Sequence, residues 1–152
     1  MAITAGSRVF IDTNILVYAN LAQSPFHSKA VASLREFEDI GLLYISRQVL
    51  REYLAVMTRP GTLTHDIPVS SLIQDVQGFE AGLTVLDDGP EITARLLEII
   101  KQYSVAGKQI HDANIVATML VHDIPALLTH NTADFKRYQE IITVLPLVRL
   151  SE

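Results

Sequence analysis

Short, almost uninterrupted apolar runs alternate along this chain with stretches of helical periodicity, and that alternation constrains the fold more than any other feature. Val9-Phe10-Ile11, Leu42-Leu43-Tyr44-Ile45, Leu83-Thr84-Val85-Leu86, Ala126-Leu127-Leu128-Thr129 and Ile142-Thr143-Val144-Leu145 read as strands. Between them lie helical patterns over Phe26 to Ile40, Ser46 to about Thr58, Ser70 to Phe79, Glu91 to Tyr103 and His111 to Val121, with a short helical turn over Ala133 to Tyr138. A strand that is apolar on both faces must be covered on both faces, and strands separated by helices pair in parallel. The expected fold class is therefore α/β: a three-layer α/β/α arrangement around a mostly parallel sheet of four to five strands.

Local chemistry sets the element boundaries. Ser46 suits the N-cap of the helix after it, Gly41 the end of the helix before it, and Arg59-Pro60-Gly61 a stop. Thr62 to Pro68 is turn-rich, and Asp87-Asp88-Gly89-Pro90 is a turn into the next helix. No repeat, low-complexity tract or linker interrupts the pattern, so residues 1–152 read as a single domain.

A chain that is 49% hydrophobic and 19% charged carries enough apolar surface for a core, which excludes disorder. The absence of cysteine removes disulfides, thiolate ligands and cysteine nucleophiles together. No uncharged apolar run approaches the roughly 18 residues that span a bilayer, so no membrane role and a cytoplasmic location are expected. Twelve Lys and Arg against 17 Asp and Glu leave a net charge of −5, which argues against a protein that coats nucleic acid by neutralising many phosphates. It leaves a nuclease open, because a carboxylate cluster turns locally positive once it holds divalent cations.

Four acidic residues carry the chemistry. Asp12 directly follows the first strand, and Asp134 lies a few residues after the fourth; in parallel sheets such positions converge on the edge where ligands bind. Asp112 projects between Val116 and Met119, inside the apolar arc of its helix. An ionised carboxylate taken out of water costs several kcal/mol in practice, so its presence there implies a cation, strong hydrogen bonds or a raised pKa. Glu52 lies at the margin of the apolar face made by Val49, Leu50, Tyr53 and Met57. Each has a plainer reading: Asp12 as the cap of the next helix, Glu52 as a solvated charge, Asp134 as the N-cap of the short helical turn, Asp112 as one half of an ion pair with Lys108. Taken together, hard oxygen donors without cysteine select Mg²⁺ or Mn²⁺ over zinc. The five histidines lie on no common face, and no GxGxxG, GxxxxGK[ST] or GxSxG run is present, so dinucleotide, P-loop and serine-hydrolase readings lack their motifs.

Phe10-Ile11-Asp12-Thr13-Asn14-Ile15-Leu16, Val49-Leu50-Arg51-Glu52-Tyr53, Ile110-His111-Asp112-Ala113-Asn114-Ile115-Val116-Ala117 and Leu128-Thr129-His130-Asn131-Thr132-Ala133-Asp134-Phe135 occur in this order. Together they resemble the PIN-domain ribonucleases, and within them the VapC-type toxins of toxin–antitoxin pairs. The resemblance implies an endoribonuclease with Asp12, Glu52, Asp112 and Asp134 as catalytic acids and Mg²⁺ or Mn²⁺ as cofactor. It also implies a homodimer, an antitoxin partner, and structured RNA with a single-stranded target loop as substrate. In that reading Asp12 and Asp112 are the principal metal ligands. Thr13, Asn14, Thr129 and Asn131 are candidates to bond the acids or the phosphate, with capping and turn formation as their alternative roles. Arg47, Arg51, Arg59, Lys108, Lys136 and Arg137 are candidates to guide the RNA backbone, or plain solvated surface. Three other functions share parts of this pattern: a PIN nuclease serving RNA processing, a silent RNA- or protein-binding module, and a Mg²⁺ phosphohydrolase. The last needs a second Asp two residues after the first, where Asn14 stands.

Overall fold

The computed structural model describes residues 6–60 and 66–150. Its centre is a five-stranded sheet of β1 (Ser7–Ile11), β2 (Gly41–Ser46), β3 (Thr84–Leu86), β4 (Ala126–Leu128) and β5 (Thr143–Leu145). All pairings are parallel, in the order β3-β2-β1-β4-β5. The two central strands explain the continuous apolar runs: Val9, Phe10 and Ile11 of β1 and Ala126, Leu127 and Leu128 of β4 have no exposed surface. The outer strands β3 and β5 are partly exposed.

The helices are α1 (Thr13–Ala19), α2 (His27–Ile40), α3 (Arg47–Met57), α4 (Val69–Gly82), α5 (Pro90–Tyr103) and α6 (Gln109–Val121), with a 3-10 turn at Thr132–Tyr138. The chain steps outward from β1 through β2 to β3 with α1 to α4 in the crossovers, then returns across β1 to β4 and β5 with α5, α6 and the 3-10 turn. Right-handed crossovers in opposite directions put these two groups on opposite faces, which makes the three layers. Contacts follow the same division: α1 packs on α2 and α3, α3 on α4, α5 on α6, and α6 on the 3-10 turn. No helix among the described residues is long and apolar enough to cross a membrane.

Several boundaries differ from the sequence reading for local reasons. Gly41 opens β2 instead of closing α2, pairing with Ser7 across the sheet. Ser46 holds the N-cap position of α3, yet its hydroxyl makes no capping bond and is buried without a partner among the described residues. The 3-10 turn is capped in position by Asn131, with Asp134 inside its first turn, so Asp134 is not the cap. Of the turn-rich stretch, residues 62–65, His65 included, lie outside the described residues.

Reversal of the winding direction between β1 and β4 leaves a crevice beyond their carboxyl ends. The backbone is tied down on both sides of it. Asp12 N–H donates to the Leu128 carbonyl at 3.0 Å, and Thr129 N–H to that of Leu145 at 3.0 Å.

Candidate active site

Asp12 leaves β1 and enters the crevice as the N-cap of α1. Its Oδ1 accepts the Thr13 N–H at 2.8 Å, so the capping role is real. The other oxygen is used differently: Oδ2 accepts the Thr129 hydroxyl at 2.8 Å and the Asn14 side-chain amide at 3.1 Å. Asn14 Nδ2 also reaches Thr129 Oγ1 at 3.2 Å, and its Oδ1 accepts the His130 N–H at 3.0 Å. Thr129 Oγ1 further accepts the Asn131 N–H at 3.1 Å. The loop after β1 and the loop after β4 are thus laced together through Asp12, which is only 6% exposed.

Glu52 on α3 is no solvated charge. One oxygen accepts the Thr13 hydroxyl at 3.1 Å and the other the Gln48 amide at 2.6 Å. Gln48, buried one turn earlier, also donates to the His111 carbonyl at 2.8 Å and accepts from Asn114 Nδ2 at 2.7 Å. It therefore clamps the start of α3 to the start of α6 while aiming Glu52. Sequence pattern alone does not mark Gln48 as a site residue. Its four-residue spacing from Glu52 was visible, but its partners on α6 lie 63 and 66 positions away.

Asp112 is half-buried in the first turn of α6, and among the described residues no donor bonds its carboxylate. The alternative ion pair with Lys108 is not formed; Lys108 sits at the N-cap position of the same helix. Burial pushes Asp112 up to about 7, with the charges of Asp12, Asp134 and Glu52 adding to the rise and Arg137 offsetting part of it. Burial likewise raises Asp12 to about 6, against hydrogen bonds from Thr129, Thr13 and Asn14 that favour its charged form. The Glu52 charge adds to that rise.

Asp12, Glu52 and Asp112 share one cleft of about 240 Å³ with Thr13, Asn14, Tyr18 and Asn131. Asp134 is not among the residues that line it; exposed on the 3-10 turn, it is coupled to Asp112 through its charge. Among the described residues no three acidic or histidine side chains stand close enough together to hold an ion as they are. The donors nonetheless suit a hard divalent cation: they are carboxylate oxygens, three of the four facing one cleft, and among the described residues no salt bridge reaches them.

The basic candidates divide. Arg47 bonds Glu80 at 2.7 Å and Asp87 at 3.1 Å, and Arg51 bonds Asp88 at 3.3 Å, so both are committed to acids near β3. Arg137 bonds Gln109 Oε1 at 3.3 Å and acts on Asp112 by its charge.

Comparison with known proteins gives the chain's family and the likeness of its fold. The chain is 28% identical over 136 residues to ribonuclease VapC48 of Mycobacterium tuberculosis, covering 86% of this chain and 91% of that one. It superposes on a chain of the Rickettsia felis VapBC2 complex bound to a promoter DNA fragment with a TM-score of 0.67, at 17% identity over 93% of this chain and 99% of that chain. The sarcin-ricin loop cleaving toxin VapC20 of M. tuberculosis gives a TM-score of 0.59, at 15% identity over 78% and 86% of the two chains. Residues 9–141 match the PIN domain, and the chain belongs to that family.

Proposed function

We propose that this protein is a metal-dependent endoribonuclease, the toxin of a toxin–antitoxin pair, acting in the cytoplasm as a single PIN-like unit over residues 1–152. One observation carries the reading: Asp12, Glu52 and Asp112 line one cleft at the crossover point of the sheet, with the two aspartates raised toward neutrality and neither salt-bridged among the described residues. Mutually repelling carboxylates gathered in one cleft, one of them with no hydrogen-bond donor among the described residues, are costly to keep unless a cation uses them.

Asp12 and Asp112 would hold Mg²⁺ or Mn²⁺, with Asp134 approaching from the 3-10 turn directly or through water. Such an ion would offset the negative charge developing on the phosphate and would make the attacking water more acidic. Glu52, held at one oxygen by Thr13 and at the other by Gln48, orients that water and receives its proton. Thr13, Asn14, Thr129 and Asn131 keep Asp12 and the two loops in register. An RNA with a single-stranded loop presents its phosphate to such a cleft more readily than a duplex does. The relatives' names and complexes support an antitoxin partner, and a homodimer completes the reading.

Purified protein incubated with RNA, with Mg²⁺, Mn²⁺ or EDTA, is expected to cleave only in the presence of metal. Sequencing of RNA ends after controlled expression of wild type and Asp12→Asn should yield one dominant cut site that the variant lacks. RNA bound but never cut under any metal would replace this reading with that of a silent binding module.

Gln48→Leu keeps the volume of the clamp but removes its amide. Cleavage is expected to fall about 10- to 100-fold, the scale for losing a group that orients a metal-site carboxylate. The metal concentration for half-maximal rate should rise with it. An unchanged metal dependence would reduce Gln48 to a packing residue.

A further inference from the structure

Two further rings pack against Tyr18, a residue of the cleft: Phe26, near it in the chain, and His130, far from both. Tyr18 of α1 lines the cleft beside Asp12, Phe26 precedes α2, and His130 follows β4. The Phe26 and His130 ring centroids are 4.2 Å apart, Tyr18 and Phe26 5.0 Å, and Tyr18 and His130 5.6 Å with the rings nearly perpendicular. The trio belongs to the same frame as the acids. Asn14, which bonds Asp12, also holds the His130 backbone, and the Tyr18 carbonyl is bonded by His27 Nδ1 at 2.9 Å.

Packing alone does not account for the arrangement. All three rings stay partly exposed, and Phe26 and His130 lie outside the apolar core. Aromatic surface left partly exposed beside an anionic cleft is well placed for a flat, uncharged π-system. A nucleobase is such a group: unlike the phosphate, it is not repelled by carboxylates, and stacking on aromatic side chains is how single strands are gripped.

Resting on the ribonuclease reading, we infer that Tyr18, Phe26 and His130 form a stacking subsite for one unpaired nucleobase of the RNA, adjacent to the phosphate that is cut. The subsite holds the base whose neighbouring phosphate enters the cleft, so it sets which position along a strand is cleaved.

The test uses Asp112→Asn protein, expected to bind RNA with cleavage suppressed, and mixed-sequence single-stranded oligoribonucleotides with 2-aminopurine moved along the strand. One position is expected to be quenched on binding. Phe26→Leu, which keeps apolar volume and removes the ring, should weaken binding about tenfold and abolish the quench. His130→Ala is a second route to the same result should Phe26→Leu lose its fold by circular dichroism. An abasic site at the quenched position should weaken the parent but not Phe26→Leu. Quenching and affinity unchanged in both ring variants overturn the subsite while leaving a wild type that cuts RNA intact as a nuclease. A wild type that neither binds nor cuts these strands nor longer RNA overturns the ribonuclease reading and the subsite with it.

Discussion

Asp112→Asn is expected to melt several degrees above wild type at pH 8 without metal, while losing at least about a hundredfold in RNA cleavage. The carboxyl titrates near 7 in the fold, against 3.8 in an unstructured chain. Between those values the native state keeps a proton that the unfolded state has released, so stability falls as pH rises through this window. Three pKa units correspond to about 4 kcal/mol. Solvent reaching the half-buried group screens that to about 2 kcal/mol, or roughly 4–8 °C for a domain of this size. Asparagine carries no charge and abandons no side-chain hydrogen bond, because among the described residues none is made to the Asp112 carboxylate. At pH 4 the carboxyl is still protonated in the fold and only about half ionised in the unfolded chain, so most of the difference is gone and the melting curves should nearly coincide. The cleavage loss takes as its lower limit the cost of losing even an indirect support of a metal ligand. Calorimetry from pH 4 to 8 in EDTA, paired with a cleavage assay, reads both effects. A variant less stable than wild type at pH 8 would mean that the Asp112 charge is not strained.

Cleavage by the wild type is expected to decline below about pH 7, tenfold per pH unit at first and more steeply below about 6. Asp112 takes up its proton in the first range and Asp12 in the second, and both are needed charged. Because the acids interact, the two apparent values belong to the cluster as a whole. Protons and the cation compete for the same oxygens, so raising Mg²⁺ or Mn²⁺ should move the acid limb to lower pH. The same competition predicts stabilisation at pH 8 by about 2.7 kcal/mol at a hundredfold excess over the dissociation constant. Rate against pH at three metal concentrations decides the matter: an acid limb that does not move with metal would separate the acids from the ion.

The sequence alone determined the strand-helix alternation, because a strand buried on both faces has to be apolar throughout, as Val9 to Ile11 and Ala126 to Leu128 are. It also singled out Asp112, since a carboxylate inside the apolar arc of a helix is visible from period alone. Asp12 after the first strand was equally legible, and its double use as cap and cleft residue was not, because that depends on Thr129, 117 positions away. Only the tertiary structure decided that Gln48 aims Glu52 while pinning α6, that Arg47 and Arg51 spend their charge on Glu80, Asp87 and Asp88, and that Tyr18, Phe26 and His130 meet. Periodicity and capping act within a few residues of the chain. The order in which strands lie in the sheet brings loops together across more than a hundred residues, and no local preference encodes which side chains then face one another.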